Sequence, residues 1–345
     1  MKRPDFLPTL VALTGSFALG GLLLAALGVN PMLAYEAMLA GSLGSLKGLA
    51  QTLSKSIPLV LVGLGIIVAF QARIFNIGAE GQMIVGALAG TALGLAIPSL
   101  PGPVLLPLVL AAGVTAGALW AGLAGYLKAR FGVNEILSTV MLNQVALQLM
   151  NFVLSGPMLD PAEIAAGTRI PQSAALPAAI WLPRLIPRTT LHAGLLLLPL
   201  LAGVVYFLLR RTTLGFELRA VGLSPLAARY AGIGVGTRLV LAMLISGALA
   251  GLAGIVEVTG LHHRSLEGMT GGAGFAGIVA ALLARLDPRW LLPAGALFAA
   301  LLVGADKMQR SMQVPASLAI ALQGLILCLL VSAEAWERRR RNRRV

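Results

Sequence analysis

The chain has 345 residues, of which 58% are hydrophobic and only 11% charged, and its mean hydropathy is +0.89. A soluble domain carries about 25% charged residues, so this chain has too little polar surface to cover a water-soluble body. The formal net charge of +13 invites a nucleic-acid reading, but the bases are scattered over short segments between apolar runs, which argues against nucleic acid as a partner.

Those runs fall in chain order near 6–29, 57–72, 77–97, 103–127, 135–155, 189–210, 238–260, 272–285, 289–306 and 315–333. A bilayer-spanning helix needs roughly 17–25 apolar residues, and in lipid its backbone groups must bond within the segment. Nothing alternates over long stretches as barrel strands would. The expected fold class is therefore all-α: a polytopic membrane bundle of about ten transmembrane helices, forming a single domain over 1–345. Within it lie a first span and outer loop (1–56), spans two to six (57–210), a cytoplasmic loop (211–237), spans seven to ten (238–333) and a basic tail (334–345). The runs 57–72 and 272–285 are barely long enough and adjoin Gly-rich stretches, which predicts broken or re-entrant helices lining a cavity. Met1-Lys2-Arg3 before an apolar run imitates a secretion signal; the run continues to Val29, long for such a signal, and is read as a retained helix. Cys328 stands alone in the last run, so neither an internal disulfide nor a cysteine metal site is expected.

Orientation follows from Lys and Arg, which cytoplasmic loops retain. With the N-terminus inside, the inner side holds 18 of the 26 bases, among them Lys128, Arg130, Arg210, Arg211 and six arginines between Arg338 and Arg344. The outer side holds Lys47, Lys55, Arg169, Arg184, Arg188, Arg264, Lys307 and Arg310. Both termini are thus expected in the cytoplasm, with the tail resting on anionic membrane lipid.

Energy coupling is not encoded here. A phosphate cradle needs a lysine after a glycine, and none of Lys2, Lys47, Lys55, Lys128 and Lys307 has one. Gly272-Ala273-Gly274-Phe275-Ala276-Gly277 spells a dinucleotide fingerprint, but it opens an apolar helix rather than following a strand. It is read as a glycine-thinned helix end beside a transport path. The expectation is a non-enzymatic transport subunit without cofactors of its own.

The loop after Arg211 carries a local helix signal. Ser224 is a good N-cap, Pro225 suits the first helical position and Gly232 suits the stop. A helix of about two turns is unstable alone in water, so it must pack on lipid or dock a cytoplasmic partner. Polar side chains inside the spans are costly and usually face a cavity. Gln144, Gln148 and Asn151 recur at helical spacing on one face, with Asn143 on its flank. Amides both donate and accept, which suits an uncharged polar substrate, although they also hold helices together. Glu80 is a lone carboxylate at the start of the third span; it ties a broken helix, touches substrate or relays a proton. Its nearest cation in sequence is Arg73, with Asn76 a neutral alternative. His262, His263 and Glu267 are weak material for a metal, and no metal site is expected. Gly86, Gly90 and Gly94, Gly113 and Gly117, and Gly247 and Gly251 are spaced to let helices come close.

Asn76-Ile77-Gly78-Ala79-Glu80-Gly81-Gln82, preceded by Thr52-Leu53, Pro58-Leu59 and Gly63-Leu64, resembles the signature of the nucleoside and simple-sugar ABC permeases. These belong to the branched-chain amino acid and ribose permease superfamily. Gly215-Phe216-Glu217-Leu218-Arg219-Ala220-Val221-Gly222, with Ala227-Ala228 and Gly232-Ile233, looks like that family's coupling loop, and Gly272–Leu283 resembles its later Gly-rich helix. The resemblance implies ATPase coupling through Gly215, Glu217, Arg219, Gly222, Ser224, Pro225, Ala227, Ala228, Arg229 and Gly232. It implies a substrate path along Asn76, Glu80, Gln82, Asn143, Gln144, Gln148, Asn151 and Phe275. It also implies partners: a second, non-identical permease, a cytoplasmic ATPase that binds ATP and Mg, and an extracytoplasmic binding protein or lipoprotein. The function expected is import of nucleosides across the bacterial inner membrane by alternating access; simple sugars and branched-chain amino acids are the alternatives. An ion-coupled secondary transporter or a non-transporting scaffold fits less well, because Glu80 and Glu257 are thin material for ion coupling and most loops are short.

Overall fold

The computed structural model describes residues 7–26 and 28–313, together with 324. The expected tenth span at 315–333, Cys328, the first residues Met1-Lys2-Arg3 and the basic tail lie outside the described residues. The helices are α1 (Leu7–Ala26), α2 (Pro31–Ser42), α3 (Leu46–Gln71), α4 (Ala79–Ala96), α5 (Gly102–Phe131), α6 (Glu135–Ser155), α7 (Pro161–Ala166), α8 (Leu197–Arg211), α9 (Thr213–Leu223), α10 (Pro225–Tyr230), α11 (Val235–Glu257), α12 (Ala273–Leu283) and α13 (Pro288–Met312). Among the described residues there is no strand, only three isolated bridges in the segments near 159–192 and 266.

Seven helical stretches are long and apolar enough to cross a membrane, and eight if the bent pair Ala18–Ala26 and Pro31–Ser42, at 116°, forms one span. The sequence-based figure of about ten is therefore approximate. Two runs differ from expectation for a physical reason. The run 57–72 belongs to a helix of 26 residues that starts at Leu46; Lys47, Gln51, Ser54 and Lys55 dilute its hydropathy without disturbing its backbone hydrogen bonds. The run 272–285 yields only the 11 residues of α12, about 16 Å of helix, roughly half a bilayer core. Helix α2 was not anticipated, although Asn30 caps it by accepting from the Met32 N–H at 3.0 Å and Pro31 opens it.

Contacts divide the chain into two compact units, Met1–Lys55 with Ala296–Val345, and Ser56–Gly295. In the first unit Leu24, Ala34, Met38, Ala305 and Met308 form a small core. The second unit is built on α4, α5 and α11. Gly86 of α4 sits against Gly251 and Gly113, and Gly117 of α5 against Gly247 and Gly251 of α11. A side chain at Gly86 would put its Cβ 2.5 Å from the Gly251 Cα, so backbone meets backbone along this seam, as small residues at four-residue spacing permit.

Candidate functional site

Helix α4 starts part-way along its neighbours rather than at their ends. After α3 stops at Gln71, residues 72–78 run back to the level of Ser246, near the middle of α11, where the Asn76 Nδ2–H donates to the Ser246 Oγ at 2.8 Å. Asn76 and Gln82 then pair reciprocally, Asn76 Nδ2 to Gln82 Oε1 at 2.9 Å and Gln82 Nε2 to Asn76 Oδ1 at 2.8 Å. Asn76 Oδ1 also accepts from the Gly78 N–H at 3.0 Å. Both amides are buried, at 1% exposure each. These two residues, expected along the substrate path, thus turn inward and clamp the segment that starts α4.

The first N–H groups of a helix have no partner within it, and at a helix starting inside a membrane water cannot supply one. The starts of α4 and α12 are each capped by a side chain from another element. Asn143 of α6 accepts from the Gly81 N–H at 2.8 Å and donates to the Ile77 carbonyl at 2.9 Å. Glu80 of α4 accepts from the Gly274 N–H on Oε2 at 2.8 Å and from the Thr270 hydroxyl on Oε1 at 2.5 Å. A carboxylate at a helix N-terminus is also favoured by the helix dipole. The bonds run from α6 to α4 and on to α12, and Gly274 has no room for a side chain because Glu80 lies against it. Arg73 is not in this set; it sits exposed in the preceding turn with φ 53°.

A cavity of about 360 Å³ lies elsewhere in the molecule, at α2 and α3; beside this chain of bonds opens one of about 260 Å³, lined by Glu80, Asn143, Gln144, Met150, Thr270 and Phe275 among others. A second groove of about 470 Å³ follows the outer face of α6 past Gln144, Gln148 and Phe152. Gln144 belongs to both. Phe275 is 46% exposed and presents its ring to the first cavity. The expected amide face is thus split: Gln144 and Gln148 point outward, Asn143 points in, and Asn151 is half-buried with its Oδ1 lacking a hydrogen-bond partner.

The loop after α8 forms two short helices. Thr212 caps α9 by accepting from the Gly215 N–H at 3.2 Å, and Ser224 caps α10 by accepting from the Ala227 N–H at 3.2 Å. Pro225 opens α10 and Gly232 follows it with φ 80°. Glu217 pairs with Arg238 at 2.5 Å, and the Arg219 guanidinium donates to the Leu209 carbonyl. Gly215 and Gly222 lie against the Leu208 and Gln71 carbonyls, which seats α9 on the ends of α8 and α3. On α10, Ala228 is buried, while Leu226, Ala227, Arg229 and Tyr230 are exposed. With Phe216 and Leu223 of α9, Leu226 and Tyr230 form an exposed apolar patch. Ala228, expected among the coupling residues, is buried at 3% exposure, while the large side chains of Leu226 and Tyr230, which carried no such expectation, are exposed on either side of it. Helical spacing across 223–230 was the signal that could have found them.

His262 and His263 go to different partners. His262 Nε2 lies 3.7 Å from Glu257 Oε1, and the His263 ring stacks on Trp181 at 4.0 Å. His263 is held below the ordinary imidazole range, chiefly by burial. The segment 156–192 is tied to this turn: the Leu176 N–H donates to the His263 carbonyl and the Ser173 N–H to the Ser265 carbonyl, both at 2.8 Å.

Comparison with known proteins adds the following. Residues 48–331 match the family described as branched-chain amino acid transport system / permease component. The chain is 39% identical to a glucose ABC transporter permease protein of Haloferax volcanii, over 96% of this chain and 88% of that one. It is 34% identical to a guanosine ABC transporter permease protein of Bacillus subtilis, over 97% of this chain and 95% of the other. It is 33% identical to a nucleoside ABC transporter permease protein of Lactococcus lactis subsp. cremoris, over 89% and 85% respectively.

Proposed function

Because the chain belongs to the permease component family of branched-chain amino acid transport systems, we propose that it is the membrane-spanning subunit of an ABC importer for nucleosides. The observation that carries this reading is the outward face of α6. Gln144 and Gln148 stand exposed on a helix apolar enough to span a membrane, along two cavities that share Gln144. Polar groups at that depth do not face lipid, so this face borders an aqueous passage that a second permease completes. Phe275 offers a ring for a base to stack on, and the Gln144 amide can both donate and accept at a base edge or a ribose hydroxyl.

ATP and Mg are bound by a partner ATPase, which docks on the apolar patch of Phe216, Leu223, Leu226 and Tyr230. Force from there has a contiguous route. Gly222 of α9 bears on the carbonyl of Gln71, the segment after Gln71 carries Asn76, and the α4 start that Asn76 clamps holds Glu80 and hence α12. A shift of α9 and α10 therefore reaches the cavity through packed backbone and hydrogen bonds alone. Helices α5 and α8 end in Lys128 with Arg130 and in Arg210 with Arg211, which supports a cytoplasmic position for that end and for both termini. An extracytoplasmic binding protein delivers substrate on the opposite side, at the inner membrane of a bacterium.

Simple-sugar import is the second reading, favoured by the glucose permease relative. Uptake of labelled uridine or adenosine by the assembled transporter, challenged with ribose, glucose, free bases and leucine, separates them. Competition by unlabelled nucleosides alone is expected; competition by glucose with none by nucleosides would replace the substrate assignment.

A further inference from the structure

Half of the bases assigned to the outer side, Lys47, Lys55, Lys307 and Arg310, lie in the first compact unit. Lys55 pairs with Asp306 at 3.5 Å. The other three line one cleft of about 360 Å³, together with Gly41, Ser45 and Gln51. None of Lys47, Lys307 and Arg310 forms an ion pair among the described residues. The walls are built by close packing. Gly41 of α2 lies against the Lys307 stem, Gly48 of α3 against the Gly41 carbonyl, and Gly304 of α13 against the Met38 carbonyl. The Thr52 hydroxyl donates to the Ser42 carbonyl at 3.0 Å, which fastens α2 to α3.

Depth and surroundings decide what such a cleft holds. Lys47 lies in the first turn of α3, and Lys307 and Arg310 in the last two turns of α13. The ends of two spanning helices place the three charges at headgroup level. Leu39 of α2, Leu43 just after that helix and Leu46 of α3 are all exposed, each within two residues in sequence of a residue that lines the cleft. A soluble anion would use the charges alone, whereas one phospholipid uses the charges through its headgroup and the leucines through its acyl chains. Basic pockets between spanning helices bind anionic headgroups by this combination.

We propose that this cleft is a binding site for the phosphate headgroup of an anionic phospholipid, with Lys47, Lys307 and Arg310 holding the phosphate and Leu39, Leu43 and Leu46 lying along the acyl chains. The site is independent of the substrate path and of the substrate's identity.

The test uses the full-length chain in its assembled transporter, in nanodiscs of equal parts phosphatidylglycerol and phosphatidylcholine, with lipid retention read by native mass spectrometry. Wild type retains phosphatidylglycerol preferentially. Lys47→Gln, Lys307→Gln and Arg310→Gln each lower that retention about fivefold, while Lys55→Gln, outside the cleft, leaves it unchanged. Equal retention of both lipids by wild type overturns the proposal, and that measurement needs no variant. Displacement of the lipid by inorganic phosphate as readily as by added phosphatidylglycerol also overturns it, since the site then recognises a free anion. Saturation of the cleft by a soluble acidic protein with no lipid retained does the same.

Discussion

Glu80 accepts one hydrogen bond on each carboxylate oxygen, from the Thr270 hydroxyl and the Gly274 N–H, and this ranks its replacements. Glu80→Gln keeps an acceptor for Gly274 and lets the Thr270 hydroxyl accept in turn, so it loses only the charge-assisted part of the cap. Glu80→Ala strands an amide N–H away from water, at about 1–3 kcal/mol. Thermal unfolding of the purified chain is expected to rank wild type, then Glu80→Gln, then Glu80→Ala; equal melting of wild type and Glu80→Ala would remove the capping role. Asp287, just before α13, is a second test at this scale. The hydrogen bond from the Arg289 guanidinium holds its carboxyl below the usual range. Its contribution is therefore complete above about pH 4 and fades as pH falls below that. Because Arg289 is largely exposed, solvent screening keeps the effect small. Stability measured from neutral pH down to about pH 3 should fall further for wild type than for Asp287→Asn. At this scale the sequence was readable for local chemistry and opaque for long-range partners. Ser224 and Pro225 act on residues within one turn, so their roles follow from spacing. The Ser246 partner of Asn76 lies 170 residues away and the partners of Glu80 190 or more, and nothing local distinguishes an amide that clamps a backbone from one that faces a cavity.

Helix length was the weakest expectation, because hydropathy marks where lipid is and not where the backbone bonds. Helix α3 carries five polar residues over its first ten positions and runs on regardless, while α12 is as apolar as any span and stops after 11 residues. Only Gly271 and Gly272, at φ 52° and 76°, show why α12 starts where it does. The run 272–285 thus yields only a short apolar helix, and the run 57–72 belongs to the full-length α3. Helix α10 yields a prediction at the same scale. Leu226→Asp or Tyr230→Asp should reduce ATP-driven uptake and co-purification of the ATPase while membrane insertion is unchanged. Ala228→Asp should instead unseat α10 and lower stability, since Ala228 is buried. Uptake unaffected by both surface changes would move the docking site off α10. On α6, Gln148→Leu should lower uptake several-fold with assembly intact, and normal uptake would return that side chain to a packing role.

For the molecule as a whole, the reading places the source of work outside the chain. Reconstituted in liposomes without an ATPase, it should not accumulate nucleoside against a gradient, and accumulation driven by an ion gradient alone would refute the assignment. The glycine seam sets a limit on how any such cycle proceeds. Where Gly86, Gly113, Gly117, Gly247 and Gly251 touch, no side chain stands between the backbones, so sliding one helix past another would drive main chain into main chain. Helices α4, α5 and α11 must then travel as a single block. Cysteine pairs introduced across that block and oxidised should leave the transport cycle running, whereas a crosslink from α6 to the companion permease should arrest it. The joints of the machine lie at its short pieces: α10, α12 and residues 72–78, which lead back to the start of α4.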